Sequence, residues 1–113
     1  TASGMLLIAL QGAAAVDAWL STSPLRTFTS HTITDVKVMR QQMQHIRRQD
    51  WCLSEQQLDM AYRGVSVPLR DHKGTVIAAL SVSMPMQQET SEQAIKRVLP
   101  LLRETAQGLL PLL

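Results

Sequence analysis

The stretch from residue 62 to residue 85 constrains the fold of this chain most strongly, because two apolar runs flank a short polar turn. Val, Leu, Ile and Ala dominate both runs, and the sequence RDHKG at residues 70–74 separates them. This pattern predicts two strands, at about residues 59–69 and 75–83, joined by a tight turn. We expect Asp71 to hydrogen-bond to the backbone of that turn and to have no chemical role.

Each of the two predicted strands has one face of bulky apolar side chains and one face of small residues and hydroxyls. Successive side chains on a strand point to opposite sides. The small faces therefore hold Gly64 and Ser66 on the first strand, and Ser81 and Ser83 on the second. If both lie on the same side of the sheet, they form a shallow polar floor. Alternation alone leaves two interpretations open, a floor for a small ligand or a surface that faces water.

Length and charge limit the classes of protein that fit. The 113 residues suffice for one domain, and the 45% hydrophobic content with only 4% aromatics predicts an aliphatic core. Eleven cationic residues against nine anionic ones leave a net charge of +2, which is too balanced for a nucleic-acid-binding surface. The local cluster of Lys37, Arg40, Arg47 and Arg48 spreads around one predicted helix and is typical of a solvated face.

The chain shows no sign of secretion or membrane insertion. Cys52 is the only cysteine, so no internal disulfide can form, and a reducing cytoplasm fits this composition. The apolar stretch from Ala2 to Leu20 lacks a cationic start and is interrupted by polar residues and glycines. It is therefore neither a signal peptide nor a membrane helix. Because the chain starts at Thr1, we interpret it as a piece of a longer protein.

Apolar periodicity predicts the remaining elements. Helices are expected at about residues 3–10, 13–21 and 36–49, and from Ser91 to near Gly108, with Pro100 bending or restarting the last one. Residues 51–53 form a short strand candidate, and residues 54–57 are polar and turn-like. Adjacent strands with helices outside them predict an α+β domain with an antiparallel sheet of about three strands and flanking helices.

Catalytic and metal-binding patterns are missing from the sequence. His31, His45 and His72 fall in a loop, a helix and a turn, and none lies at ligand spacing from another. No base stands beside a nucleophile, and no glycine-rich phosphate loop occurs. Cys52 follows Trp51 in an apolar run, where it is expected to be a small buried residue. We therefore expect no enzyme, no metal and no cofactor.

The sequence TASG at residues 1–4 precedes an apolar helix. Small residues at a helix start leave backbone N–H groups accessible, and such groups attract a carboxylate or a phosphate. An ordinary N-cap by Thr1 or Ser3 is the alternative. If this helix start and the polar floor converge, together they suit a small organic acid.

Several short motifs occur in a fixed order along nearly the whole chain. They are TASG at residues 1–4, HTITD at 31–35, RGVSVPLRD at 63–71, Gly74, and AALSVS at 78–83. In this order and spacing the chain resembles the effector-binding domain of the IclR family of bacterial transcriptional regulators. It looks most like the branch that controls the breakdown of aromatic acids.

The resemblance implies a GAF-like domain of which residues 1–113 are the later part, with an N-terminal winged helix-turn-helix and the start of the effector domain outside this chain. It implies a cytoplasmic regulator that binds a small organic acid, contacts DNA only through the other domain, and assembles as a homodimer or homotetramer. By motif position, the ligand contacts lie at the helix start, in the turn after the first strand candidate and on the hairpin. They are Ala2, Ser3, Ser54 in the turn, Tyr62, Gly64, Ser81 and Ser83.

The chain departs from the family pattern at several of these positions. Many members carry an Asp at the position of Ser54 or Glu55 and a Cys or Ser at that of Gly64, so the identity of the ligand stays open. Two other classes of function also remain. A ligand-free interaction module would use the apolar C-terminal helix and Met-rich stripes. A GAF-like enzyme would need an exposed Cys52 thiol.

Overall fold

A computed structural model describes residues 1–86 and 88–113. Along the chain the elements are the helices α1, α2 and α3, the strands β1, β2 and β3, the helix α4 and a final 3-10 turn. Their bounds are Ala2–Ala9, Ala13–Thr22, Val36–Gln49, Cys52–Glu55, Tyr62–Arg70, Val76–Pro85, Ser91–Leu109 and Leu110–Leu112. The predicted α+β class with an antiparallel sheet and flanking helices is confirmed.

The sheet places the small residues of all three strands on one side. Its strand order is β1-β2-β3 and both pairings are antiparallel. Gly64 lies opposite Ser54 on β1 and opposite Ser83 on β3, and Ser66 lies opposite Ser81. Because partners across a sheet share a face, the polar floor predicted from alternation exists in the structure.

Helices cover both faces of this sheet. Helix α4 packs on the bulky face, where Val65 and Val67 of β2 form a core with apolar residues of α4. Helix α1 packs on the small face, with α2 and α3 on its outer side. Helix α1, which is apolar on nearly all sides, is therefore buried between the sheet and the two outer helices.

Local hydrogen bonds explain where several elements begin and turn. The Asp35 side chain accepts from the amides of Lys37 and Val38 and caps α3. In the β2–β3 turn, Asp71 Oδ1 accepts from the amides of Lys73 and Thr75, at 2.9 and 3.0 Å. The turn role expected for Asp71 is thus the one observed.

The first strand is longer than the sequence predicted. Strand β1 runs from Cys52 to Glu55, so Ser54 lies in a strand and not in the expected turn. The reason is tertiary, since Ser54 and Glu55 pair with Gly64 and Arg63 of β2. Strand pairing places the Ser54 side chain on the small face of the sheet.

Helix α4 continues through Pro100, where a bend or restart was predicted. It begins after a capping box of Thr90 and Gln93 and shows no restart before Leu109. Pro100 is exposed, whereas Val98 and Leu102 on either side of it are buried against the sheet. Packing of the apolar stripe keeps both halves in one helix. None of the described helices is long and apolar enough to cross a membrane.

Candidate ligand-binding cavity

A cavity of about 400 Å³ lies between the start of α1 and the small face of the sheet. All seven residues predicted from the family resemblance line it. They are Ala2, Ser3, Ser54, Tyr62, Gly64, Ser81 and Ser83. The fold thus brings together residues as far apart in the sequence as Ala2 and Ser83, as the convergence of helix start and floor requires.

The start of α1 supplies backbone donors to this cavity. Thr1 Oγ1 accepts from the Gly4 amide at 3.1 Å, so Thr1 is an ordinary N-cap. Over the residues that the structure describes, the amides of Ala2 and Ser3 have no hydrogen-bond acceptor. The capping interpretation therefore holds for Gly4, and two N–H groups are still left for an anion.

Gly64 allows α1 to approach the sheet. A Cβ atom placed on Gly64 would lie 3.4 Å from the Cβ of Ala2 and 3.7 Å from the carbonyl oxygen of Val82. The space in front of Gly64 is therefore taken up partly by α1 and partly by the cavity. A larger side chain here would displace α1 or occupy the ligand space.

The serine side chains around the floor differ in the hydrogen bonds that they already make within the protein. Ser54 is only 9% exposed and lines the cavity, and among residues 1–86 and 88–113 no buried side-chain oxygen is left without a hydrogen-bond partner. Ser81 donates to Ser66 Oγ at 2.8 Å, and Ser66 donates to the carbonyl of Leu80 at 3.4 Å. Because its proton is used inward, Ser81 presents lone pairs to the cavity and suits a donor on the ligand.

The cavity holds no unpaired cationic side chain among its described lining residues. Arg63 contributes to the lining but is 3% exposed, and its guanidinium lies on the α4 side of the sheet, 2.9 Å from Glu55. Asp59 also lines the cavity, and its carboxylate accepts from the Ala61 amide at 2.8 Å. A carboxylate ligand would therefore be held by uncharged N–H and O–H donors.

One wall of the cavity was missed at the sequence level. Gln56, Gln57, Leu58 and Asp59, from the segment between β1 and β2, line it. Two threonines hold this segment, one just before the HTITD motif and one within it. Thr29 donates to the carbonyl of Gln56, and Thr32 donates to that of Gln57. The position of Thr32 within a singled-out motif was the one available signal, but its partner could not be read from the sequence.

Cys52 is unsuited to nucleophilic chemistry in this fold. Its side chain is fully buried beneath α1, and burial raises the pKa of its thiol to about 12. A thiol in this environment stays protonated at neutral pH. Within the described part of the chain, no three His, Cys, Asp or Glu side chains lie close enough together to hold a metal ion.

The cavity between the helix start and the sheet face of glycine and serine, at about 400 Å³, has the size of a pocket for a small molecule. Residues 1–109 match the family described as "Bacterial transcriptional regulator IclR C-terminal". The chain belongs to this family of transcriptional regulator domains, and the resemblance inferred from motif order is confirmed.

Its curated relatives include two regulators from Acinetobacter baylyi. The chain is 32% identical over 109 residues to the Pca operon regulatory protein, covering 96% of this chain and 39% of the relative. It is 29% identical to the p-hydroxybenzoate hydroxylase transcriptional activator, covering 96% of this chain and 40% of that protein. The chain thus spans about two fifths of the length of these relatives.

Solved structures agree with this assignment. A double mutant of the inducer-binding domain of the PobR transcription factor from Acinetobacter, in complex with 3-hydroxybenzoic acid, has a TM-score of 0.90 at 29% identity. That match covers 96% of this chain and 62% of the solved one. An IclR homologue from Microbacterium hydrocarbonoxydans in complex with 4-hydroxybenzoate has a TM-score of 0.80 at 30% identity, with 96% and 42% covered.

Proposed function

We propose that this chain is the effector-sensing part of a DNA-binding transcriptional regulator, and that the cavity between α1 and the sheet binds a small aromatic acid. The single observation that carries the proposal is the convergence of unpaired donors on one cavity. The amides of Ala2 and Ser3 have no hydrogen-bond acceptor within the described residues, and the cavity that these residues line also holds Ser54 and Ser81. A ligand carboxylate that accepts from these amides makes charge-assisted hydrogen bonds at the helix start.

The chemistry of the lining assigns an orientation to the ligand. Its carboxylate binds the amides of Ala2 and Ser3 at the positive end of the α1 dipole. The ring lies on the flat floor beside Gly64, and a ring hydroxyl donates to Ser81 Oγ, whose own proton is directed to Ser66. Two structural relatives, named above with their hydroxybenzoate ligands, support this ligand class.

The regulatory step follows from differential affinity. A ligand that binds one conformation of the regulator more tightly than another shifts the population toward it, and operator affinity changes by the same coupling. In this proposal the whole protein acts in the cytoplasm as a homodimer or homotetramer and contacts DNA through a separate domain. The domain senses and does not catalyse, which the burial and raised pKa of Cys52 support.

Isothermal titration calorimetry of the protein against hydroxybenzoates, benzoate and short-chain carboxylates tests the proposal, with each acid paired to its carboxamide. We expect heat for hydroxylated aromatic acids and about tenfold weaker binding of their amides, because a charged acceptor strengthens each hydrogen bond. No heat for any acid with folded protein would contradict the small-acid proposal.

The double substitution Ser81→Ala with Ser83→Ala tests the floor. It should weaken the binding of 4-hydroxybenzoate by about tenfold through loss of the hydroxyl contacts, with the domain still folded. The matched control is Ser21→Ala with Thr105→Ala, because both hydroxyls are exposed and bond only to their own helix backbone. Equal affinities in the two double variants would remove the floor hydroxyls from the site.

An interaction module remains a second candidate because α4 and the following turn expose large apolar side chains. Leu101 is 61% exposed and Leu112 is 81% exposed. Sedimentation velocity on Leu101→Lys distinguishes the candidates. If this variant dissociates the protein while aromatic acids produce no heat, the interaction function is favoured over ligand sensing.

A further inference from the structure

A second cavity, of about 330 Å³, lies on the other side of the α1 start from the first. It is bounded by α1, α2, the first turn of α3 and the segment between α2 and α3. Its wall is mostly apolar and includes two aromatic rings. Its apolar residues include Ile8, Trp19, Leu25, Phe28, Ile33 and Met39.

Gln57 forms the partition between the two cavities. Thr1, Gln57 and Leu58 line both of them. The Gln57 side chain is held from two sides, since the Ile33 amide donates to its Oε1 at 3.3 Å and its Nε2 lies 3.9 Å from the sulfur of Met5. With its carbonyl also bonded by Thr32, Gln57 is held in place between the two cavities.

Arg26 gives the second cavity an unpaired cationic residue, which the described lining of the first cavity lacks. Arg26 lines the cavity and is exposed, and its guanidinium has no carboxylate within 4.0 Å over residues 1–86 and 88–113. Phe28 is 61% exposed at the same cavity. An aromatic ring open to solvent beside an available guanidinium suits a ligand with an apolar body and an anionic end.

We propose that this second cavity is a distinct binding site for an apolar organic acid. Its aryl or branched alkyl group would pack against Trp19 and Phe28, and its carboxylate would pair with Arg26. The proposal does not depend on ligand binding in the first cavity. It predicts that the domain takes two acids of different character, a hydroxylated one on the serine floor and an apolar one against the aromatic rings.

The probe for this site is 4-tert-butylbenzoate, with 4-tert-butylbenzamide as its uncharged counterpart. In protein labelled with 5-fluorotryptophan, the fluorine resonance of Trp19, assigned from Trp19→Phe, should shift on binding. The resonance of Trp51 should stay in place, because Trp51 packs in the core on the opposite face of the sheet. An unchanged Trp19 resonance at saturating probe would overturn the proposal.

Substitutions then separate this site from the first cavity. Arg26→Gln should weaken the binding of 4-tert-butylbenzoate about tenfold and leave the binding of 4-tert-butylbenzamide unaffected. The control Arg103→Gln, at an exposed position of α4, should change neither affinity. Phe28→Ala should weaken the binding of both probes to the same extent. Equal effects of Arg26→Gln and Arg103→Gln would overturn the proposal. So would probe binding that is weakened by Ser81→Ala with Ser83→Ala and not by Arg26→Gln.

Binding of 4-hydroxybenzoate measured in the same variants keeps the two proposals apart. If the serine-floor site is correct, Arg26→Gln leaves this affinity unchanged. Failure of the apolar site would appear as loss of the Trp19 response alone. Failure of the serine-floor site would appear as absence of heat with 4-hydroxybenzoate.

Discussion

Gly64 shows how one residue positions a helix over a candidate ligand floor. A Cβ at this position would be in ordinary contact with Ala2 at 3.4 Å, but branched methyl groups beyond it would enter α1 or the cavity. We predict that Gly64→Ala is tolerated and that Gly64→Val lowers the free energy of unfolding by about 1–3 kcal/mol through overpacking. Urea denaturation midpoints measure both effects.

Gly108 provides a control for the backbone effect of replacing glycine. It lies in α4, and a Cβ there would meet nothing within 4 Å. Gly108→Ala should therefore stabilise the protein by about 0.5–1 kcal/mol through helix propensity. If Gly64→Val were as stable as Gly64→Ala, the close approach of α1 to β2 would be wrong.

The Cys52 thiol gives a pH-dependent test of the layer beneath α1. Burial raises its pKa to about 12 from an ordinary value of 9.0, so the folded state disfavours the thiolate. Because the folded pKa is the higher one, this contribution to stability is complete below pH 9 and is lost as pH rises from 9 toward 12.

The comparison variant for this test is Cys52→Ala. Its deficit in free energy of unfolding relative to the native protein should be constant below pH 9 and should narrow above it. Thiol titration at pH 8 should be slow in the folded protein and fast in urea. A fast reaction in the folded protein would mean that the thiol is accessible.

Among the elements, β1, β2 and the start of α4 are joined by one ion pair, in which Arg63 is buried and Glu55 is half-buried. Arg63 bonds to Glu55 and to the carbonyls of Thr90 and Glu89, and Ser91 donates to Glu55. Arg63→Met leaves Glu55 without its partner and should cost about 3 kcal/mol. Chemical denaturation of the double variant with Glu55→Gln should recover part of this loss. If the double variant lost the sum of the free energies of unfolding that the two single variants lose, Arg63 and Glu55 would not be a coupled pair.

Pro100 sits in the middle of α4, where it removes one backbone hydrogen bond. Its side chain is exposed and makes no part of the core. Pro100→Ala should therefore raise the free energy of unfolding, by up to about 3 kcal/mol, with exposed Leu101→Ala changing it by less than about 0.5 kcal/mol. A lower melting temperature for Pro100→Ala would show that the ring has a structural role.

Helices and strands with strong local signals could be predicted from the sequence, and those that depend on partners could not. The Asp35 cap and the alternation of β2 and β3 are local, so α3 and the hairpin were placed within a few residues. Strand β1 extends through Ser54 only because β2 pairs with it. The continuity of α4 at Pro100 likewise depends on burial of its stripe against the sheet.

At the scale of the whole molecule, the sheet separates the face that borders the cavity from the face that α4 covers. The small face, with Ser54 and Ser81, meets α1, whereas the bulky face, with Val65 and Val67, meets α4. The sequence could only say that the helix start and the floor would suit a small acid if they converged. In the structure they do converge, because both line one cavity. The Gln57 wall and the second cavity depend on long-range contacts of Thr29 and Thr32, which no local pattern encodes.

The central claim is that an aromatic acid binds between the α1 start and the serine floor. A crystal structure of the protein grown with saturating 4-hydroxybenzoate tests it most directly. We predict density for the acid in the cavity, with its carboxylate at hydrogen-bonding distance from the amides of Ala2 and Ser3 and its hydroxyl beside Ser81. An empty cavity at saturation, or a carboxylate bound away from the α1 start, would contradict the claim.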